Sequence, residues 1–282
     1  MTKIFIDGAY GTVGMALRNS EIIKRLVDAG MEVIEVSEED RRNRSIRGDA
    51  YAEADLVVLC LPDSEAAEAA VRVDRANHRA RILDASAFHR CDPAWEYGLP
   101  QITGERRIAD ALRVANPGCF ATACILAANP LALLAVDFHG ITGSSAGGKN
   151  AKNHPRLSQF GQEHRHLAEI RKYGVIHPTL TTAVGSWYQG MLVQATVPMH
   201  PAEVHLRYVA AYGDDSSMKI VYVDEDPTQR IAIESCNGTN QTVIYVSSLP
   251  QSDRTAIAVV LDNLGKGSAG AAAANIALML GM

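Results

Sequence analysis

The sequence has few cysteines, and none are paired by spacing. Cys60, Cys91, Cys119, Cys124 and Cys236 are the five in 282 residues, with no C-x-x-C among them, so neither a structural zinc site nor a thioredoxin-type redox pair has support and no metal is expected. An odd count without a secretory leader points to a reducing, cytoplasmic compartment. Neither a secretory leader nor a membrane span is expected: Thr2-Lys3-Ile4-Phe5-Ile6 runs at once into Asp7-Gly8, too short for a secretory apolar region, and no apolar stretch reaches transmembrane length without interruption. Positive charge is also short. Lys and Arg total 27 against 32 Asp and Glu, a net charge of −5, which argues against a general nucleic-acid binder. Internal repeats and low-complexity linkers are absent. The composition, 47% hydrophobic and 21% charged, is that of a globular chain long enough for two domains.

Against these absences stands the run Ala115-Asn116-Pro117-Gly118-Cys119-Phe120-Ala121-Thr122. Asn116 suits a helix N-cap and Pro117 the first helical position, which puts the Cys119 thiol in the first turn. There the unpaired backbone N–H groups and the positive end of the helix dipole favour a thiolate, the form that attacks carbon. Phe120 to Leu134 is mostly Ala, Ile and Leu, the pattern of a buried helix that holds the thiol still. The competing reading is a small core residue. That reading suits Cys60, in the apolar run Leu56 to Leu61, and Cys124, deeper in the same helix. Cys91 and Cys236 lie beside polar, turn-like residues.

A nucleotide site is written at the N-terminal end. Ile4-Phe5-Ile6-Asp7 reads as a strand, Met15 to Ala29 as a helix, and between them Gly8-Ala9-Tyr10-Gly11-Thr12-Val13-Gly14 is a variant of the dinucleotide fingerprint. The glycines let the backbone turn tightly and approach a pyrophosphate. The next strand, Met31 to Val36, ends at Ser37, with Arg41 and Arg42 shortly after. This combination favours the 2′-phosphate of NADP, while Glu38 and Glu39 keep open an NAD reading in which a carboxylate holds the ribose. Arg44 and Arg47 extend the basic stretch, otherwise a solvated loop. A third strand, Asp55 to Leu61, leads through Leu61-Pro62 into a helix near Glu65. A fourth, Arg81 to Ser86, ends in small polar residues at the same crevice, which makes Leu61, Pro62 and Ser86 cofactor candidates. Strands alternating with helices to residue 115 predict a doubly wound parallel sheet.

After residue 135 the texture changes. Phe138 to Thr142 reads as a strand ending in Gly143-Ser144-Ser145-Ala146-Gly147-Gly148-Lys149, a loop able to offer N–H groups to an anion or simply a flexible surface loop. Gln159 to Tyr173 reads as a helix carrying His164-Arg165-His166 and Glu169. On such a helix His166 and Glu169 share a face, so the carboxylate can orient the imidazole, and His164 points well away from it. The alternative leaves both histidines solvated and pairs Arg165 with Glu169. Gly190 to Val197, Leu206 to Ala210, Ile220 to Val223 and Val243 to Val246 read as strands of a mixed or antiparallel sheet, whose free face could pair subunits. An Ala-rich helix ending near Met279 is expected to return to the nucleotide domain and bring Asn263 and Lys266 toward the cofactor. The expected architecture is α/β: a Rossmann-type dinucleotide domain over residues 1–118, completed by 263–282, and an α+β catalytic and dimerisation domain over 119–262.

The order Gly8-x-x-Gly11-x-x-Gly14, Asn116-Pro117-Gly118-Cys119-Phe120-Ala121-Thr122, His164-Arg165-His166 with Glu169, Tyr188-Gln189-Gly190-Met191 and Asp262-Asn263-Leu264-x-Lys266-Gly267 resembles the N-acetyl-gamma-glutamyl-phosphate reductases, in the shorter of that family's two classes. Aspartate-semialdehyde dehydrogenases and glyceraldehyde-3-phosphate dehydrogenases share the general plan more distantly. The chain departs from the longer class at Ala168, where that class has proline, and at Ala146 to Lys149. The resemblance implies an NADP-dependent step of arginine biosynthesis in which Cys119 forms a thioester, His166 is the general acid and base and Glu169 holds its ring. It leaves Asn116, Ser145, Lys149, Arg156, His164 and Arg165 as the substrate-binding candidates, and it implies a homodimer or homotetramer. Aspartate-semialdehyde dehydrogenase activity, or a nucleotide-sensing protein without chemistry, are the alternatives.

Overall fold

A computed structural model describes residues 1–147, 154–158, 163–223 and 230–282. The chain forms two compact units, Met1–Pro117 with Ser268–Met282, and Gly118–Gly267.

The first unit alternates strands with helices. Its elements are β1 (Lys3–Asp7), α1 (Thr12–Arg18), α2 (Glu21–Asp28), β2 (Glu32–Ile34), α3 (Arg44–Glu53), β3 (Leu56–Leu59), α4 (Asp63–Ala76), β4 (Arg81–Asp84), β5 (Glu96–Tyr97), α5 (Pro100–Thr103), α6 (Glu105–Asp110) and β6 (Arg113–Ala115). The strands form one sheet in the order β2-β1-β3-β4-β6-β5, and every pairing is parallel. Parallel strands need covering on both faces, and two apolar clusters provide it. One packs Ile4, Ile6, Leu56, Val58 and Leu83 against Leu17, Ile23, Leu26, Ile108 and the C-terminal helix (Gly270–Leu280) through Ala272, Ala273 and Ile276. The other packs Phe5, Val57, Leu59 and Ile82 against Tyr51, Ala66, Ala69 and Val73. The doubly wound parallel sheet is therefore present. The single helix expected from Met15 to Ala29 is two helices, because the Ser20 hydroxyl accepts from the Ile23 amide and starts α2 afresh.

The second unit holds α7 (Cys119–Ala128), β7 (Ala135–Thr142), β8 (Arg156–Ser158), α8 (Leu167–Tyr173), β9 (His177–Val184), β10 (Met191–Val197), α9 (Pro201–Tyr212), β11 (Met218–Val223), β12 (Thr242–Ser248) and β13 (Thr255–Leu261). Their sheet runs β11-β12-β13-β10-β7-β9-β8. It is mixed, with β11/β12 and β7/β9 parallel and the other pairings antiparallel. Phe138, Val193, Val197, Ile257 and Val259 are buried at alternate positions of their strands, as a sheet with one covered face requires. The stretch Leu206 to Ala210 is helical and not a strand. His200 caps α9, Pro201 occupies its first turn, and Val204, Tyr208 and Tyr212 are buried at a spacing of four. The tyrosine hydroxyls donate to the carbonyls of Ala127 and Leu126, tying α9 to the end of α7. Helix α7 stops at Ala128 rather than Leu134, since Pro130 cannot continue it and Ala132 turns left-handed at φ 54°.

Candidate active site

Cys119 is the first residue of α7, half-buried, with Gly118 in extended conformation as the cap. The helix thus begins later than the expected Asn116–Pro117 start. Asn116 lies beyond β6, buried, donating to the Ser268 carbonyl at 3.0 Å and accepting from Asn275 at 3.1 Å. Its amide anchors the C-terminal helix and is not spent on a helix cap. No side chain caps α7 by the usual geometry, and a buried carboxylate serves instead: Glu169 Oε2 accepts the Gly118 amide at 3.0 Å. A carboxylate at a helix N-terminus also matches the dipole. From the other side Gly267 closes on the thiol residue, where a Cβ would stand 2.6 Å from that of Cys119.

Two histidines meet beside this thiol. Residues 165–166 form a turn and α8 begins only at Leu167, so the helical rule that sent His164 away from His166 does not apply. The rings lie 4.8 Å apart, edge to face, and both pack on Phe120, at 5.6 Å for His164 and 6.3 Å for His166. The His166 amide donates to His164 Nδ1 at 3.1 Å, which leaves the proton of the neutral ring on Nε2. Burial, with Arg165 adding to it, pushes His164 down to about 4. Cys119, Phe120, His164, Arg165, His166 and Arg156 line one cavity of about 310 Å³, together with Thr142, Ala146, Gly147, Ser158 and Thr182.

The other expected substrate residues fall differently. Ser145 is buried, its hydroxyl accepting from Asn263 at 2.8 Å and its amide donating to Tyr188 at 2.9 Å, so it braces the turn that carries Ala146 and Gly147 to the cavity. Asn263 also accepts the Gly190 amide at 2.8 Å. Both ends of its side chain are thus hydrogen-bonded within the second unit. Lys266 is buried too, and burial lowers its pKa. Lys149 lies outside the described residues. Thr142, Thr182 and Ser158 were missed by sequence reasoning; their only signal is strand alternation, which places residues on a face without saying that the face lines a cavity.

In the first unit the loop after β1 turns on Gly8, at φ 89°, and the Gly11 amide closes it onto the Gly8 carbonyl at 2.9 Å. A side chain at Gly8 would strike the Cys60 carbonyl at 2.3 Å, and one at Gly14 the Gly8 carbonyl at the same distance, so this fold of the loop requires glycine at both. Thr12 and Val13 open α1 directly after it. A cleft beside the loop is lined by Gly8, Tyr10, Arg18, Glu35, Val36 and Arg41 among others, at the carboxyl edge of β1 and β2, where open parallel sheets take ligands. Tyr10 donates to the Val36 carbonyl at 3.1 Å, under the Arg18 guanidinium, which is paired with Glu35 at 2.9 Å.

Of the basic cluster only Arg41 and Arg47 line this cleft. Arg47 is committed to buried Asp7 and Tyr51, Arg44 pairs with Glu68, and Arg42 is exposed outside it. Ser37 turns its hydroxyl onto Asp40 at 2.8 Å. Leu61 packs on the apolar cluster below β3, Pro62 starts α4, and Ser86 donates to Asp84, which also binds His89 at 2.6 Å. Arg41 is exposed there, donating to the Glu38 carbonyl at 2.6 Å and paired with the Glu38 carboxylate at 3.4 Å. Three other cysteines are poor nucleophiles: burial pushes Cys60 up to about 12, raises Cys124 well above the usual thiol range and raises Cys236.

Residues 119–263 match the family model for the semialdehyde dehydrogenase dimerisation domain. N-acetyl-gamma-glutamyl-phosphate reductases of Brucella suis and Brucella ovis are each 34% identical to the chain, over 99% of both sequences. Among solved structures, an aspartate semialdehyde dehydrogenase from Francisella tularensis superposes with a TM-score of 0.77 at 13% identity, covering 99% of this chain and 100% of that one. One from Candida albicans, solved with NADP, gives 0.66 at 10% identity, covering 100% and 99%. These two establish the fold. Identity over nearly the whole length carries further: the chain belongs to the N-acetyl-gamma-glutamyl-phosphate reductase family, a branch of the semialdehyde dehydrogenase oxidoreductases.

Proposed function

We propose that the protein reduces N-acetyl-glutamyl 5-phosphate to N-acetylglutamate 5-semialdehyde and inorganic phosphate with NADPH, in arginine biosynthesis in the cytoplasm. The observation that carries this reading is a half-buried thiol at the head of a helix, in one cavity with two histidines and two arginines. The Cys119 thiolate attacks the acyl carbon, a C–S bond forms, and the C–O bond to phosphate breaks. His166 hands its proton to the departing phosphate oxygen and recovers one from solvent. This order answers a chemical need, since a carboxylate is a poor hydride acceptor and a thioester is not. NADPH supplies the hydride that reduces the thioester carbonyl. Collapse of the tetrahedral adduct then expels the thiolate, and the cycle consumes one proton.

Arg156 and Arg165, with Lys149, supply positive charge for the substrate phosphate and α-carboxylate. Glu169 acts as a positioning residue, accepting the Gly118 amide and holding the His166 ring. The first unit is the cofactor domain, with the Gly8 loop for the pyrophosphate and Arg41 for the 2′-phosphate that separates NADP from NAD. The second unit carries the chemistry and pairs subunits in a homodimer or homotetramer. The test is the reverse reaction: phosphate-dependent NADPH formation from N-acetylglutamate 5-semialdehyde and NADP, compared with NAD and with aspartate semialdehyde. Activity on the acetylated aldehyde with NADP is expected. Activity confined to aspartate semialdehyde overturns the substrate, and preference for NAD overturns the cofactor.

A further inference from the structure

The wall of the cavity beside Cys119 holds a buried hydroxyl that the mechanism does not use. Thr142, the last residue of β7, is 1% exposed, and its hydroxyl meets no hydrogen-bond partner among the described residues. Its backbone is satisfied, with the carbonyl accepting from Gly185 at 2.8 Å, so the orphan is the side chain alone. Leaving a buried hydroxyl unpaired is costly, and an orphan on a cavity wall is accounted for when a ligand completes it. Its neighbour Thr182, on the adjacent strand β9, is satisfied by the Ser158 carbonyl at 3.1 Å. Of these two threonines on adjacent strands, Thr142 is the one left unpaired among the described residues.

The charges around it say what kind of group belongs there. Among the described residues lining the cavity the permanently charged side chains are Arg156 and Arg165, His164 is held neutral, and none is a carboxylate. The arginines suit the two anionic ends of an acyl-phosphate amino acid. Nothing in this lining compensates a free α-ammonium, whose burial without a counter-charge is costly. A hydroxyl both donates and accepts, as does an amide. We propose that Thr142 Oγ1 hydrogen-bonds the acylamino group of the substrate and is a residue by which the cavity selects an N-acylated amino acid over one with a free amine.

This assignment rests on the proposed function, and the experiment separates the two. The reverse reaction is run on N-acetylglutamate 5-semialdehyde and on 5-oxopentanoate, the same aldehyde without the acylamino group, with the unchanged protein, Thr142→Val and Thr142→Ser. The valine variant loses about 10-fold in kcat/KM on the acetylated aldehyde, mainly through KM, as expected for one lost buried hydrogen bond. Serine restores most of it. On 5-oxopentanoate the valine variant and the unchanged protein agree. Alkylation of Cys119 by iodoacetamide at an unchanged rate shows that the valine variant is folded. Equal losses on both aldehydes, or none on the acetylated one, overturn the assignment while the function stands. Inactivity of the unchanged protein on both aldehydes overturns the function and this assignment with it.

Discussion

The glycine cleft of the first unit and the thiol cavity of the second are built by opposite means. The cleft is made by backbone: Gly8 at φ 89° and Gly14 against the Gly8 carbonyl are needed for what they lack, and seven consecutive residues hold its defining feature. The cavity is made by side chains from α7, β7, β8, β9 and the turn before α8, more than 60 residues apart in sequence. A site made by backbone is written locally and fails by steric intrusion. A site made by side chains fails one function at a time, which is what makes the two separable by mutation.

The largest effect separates them outright. Cys119→Ser is expected to abolish reduction of the acyl phosphate while NADPH binding, followed by fluorescence titration, stays intact; turnover near normal would contradict the thioester route. Gly8→Ala is the reverse case. Its strain, about 1–3 kcal/mol for a non-glycine residue at such a φ, together with the clash at the Cys60 carbonyl, should raise KM for NADPH 10-fold or more. Iodoacetamide should still label Cys119 at the unchanged rate. Gly267→Ala intrudes on the cavity side, 2.6 Å from Cys119 Cβ, at the about 1–3 kcal/mol typical of overpacking, and should slow that labelling without changing cofactor affinity.

Smaller changes sharpen the comparison inside the cavity. Glu169→Gln keeps an acceptor for the Gly118 amide and removes the charge, so kcat should fall several-fold with KM for cofactor constant; a loss as large as that of Cys119→Ser would make Glu169 more than a positioning residue. The smallest effect is on stability. His164 is held neutral, with its pKa pushed down to about 4 from 6.5. The unfolded chain therefore binds more protons than the folded one between these values. Its stabilising contribution is full above pH 6.5 and is lost as pH falls toward 4. Urea unfolding at pH 7 and pH 5 should show a steeper loss for the unchanged protein than for His164→Gln.

How much of this could be read in advance follows the same division. Strand-loop-helix order and the glycine spacing made the parallel sheet legible, because each βα step is local in sequence. The mixed sheet was legible in part. Alternation found β10, β11 and β12, yet a window of five residues within α9 passed for a strand until His200 and Pro201 fixed it as a helix. At the thiol, Cys119, His164, His166, Arg165 and Arg156 do meet in one cavity. Thr142 was not legible, since its role depends on β7 and β9 lying side by side. The pairing of Asn263 with Gly190 and Ser145 was hidden for the same reason: it comes from sheet register, which a motif does not encode.

The account stands on acyl transfer to Cys119, and that step can be caught alone. With N-acetylglutamate 5-semialdehyde and NADP but no phosphate, the protein should release about one equivalent of NADPH per chain and stop. Mass spectrometry should then find the N-acetylglutamyl group on the peptide bearing Cys119, removable by phosphate or hydroxylamine. NADPH formation with no adduct, or an adduct on another cysteine, would contradict it.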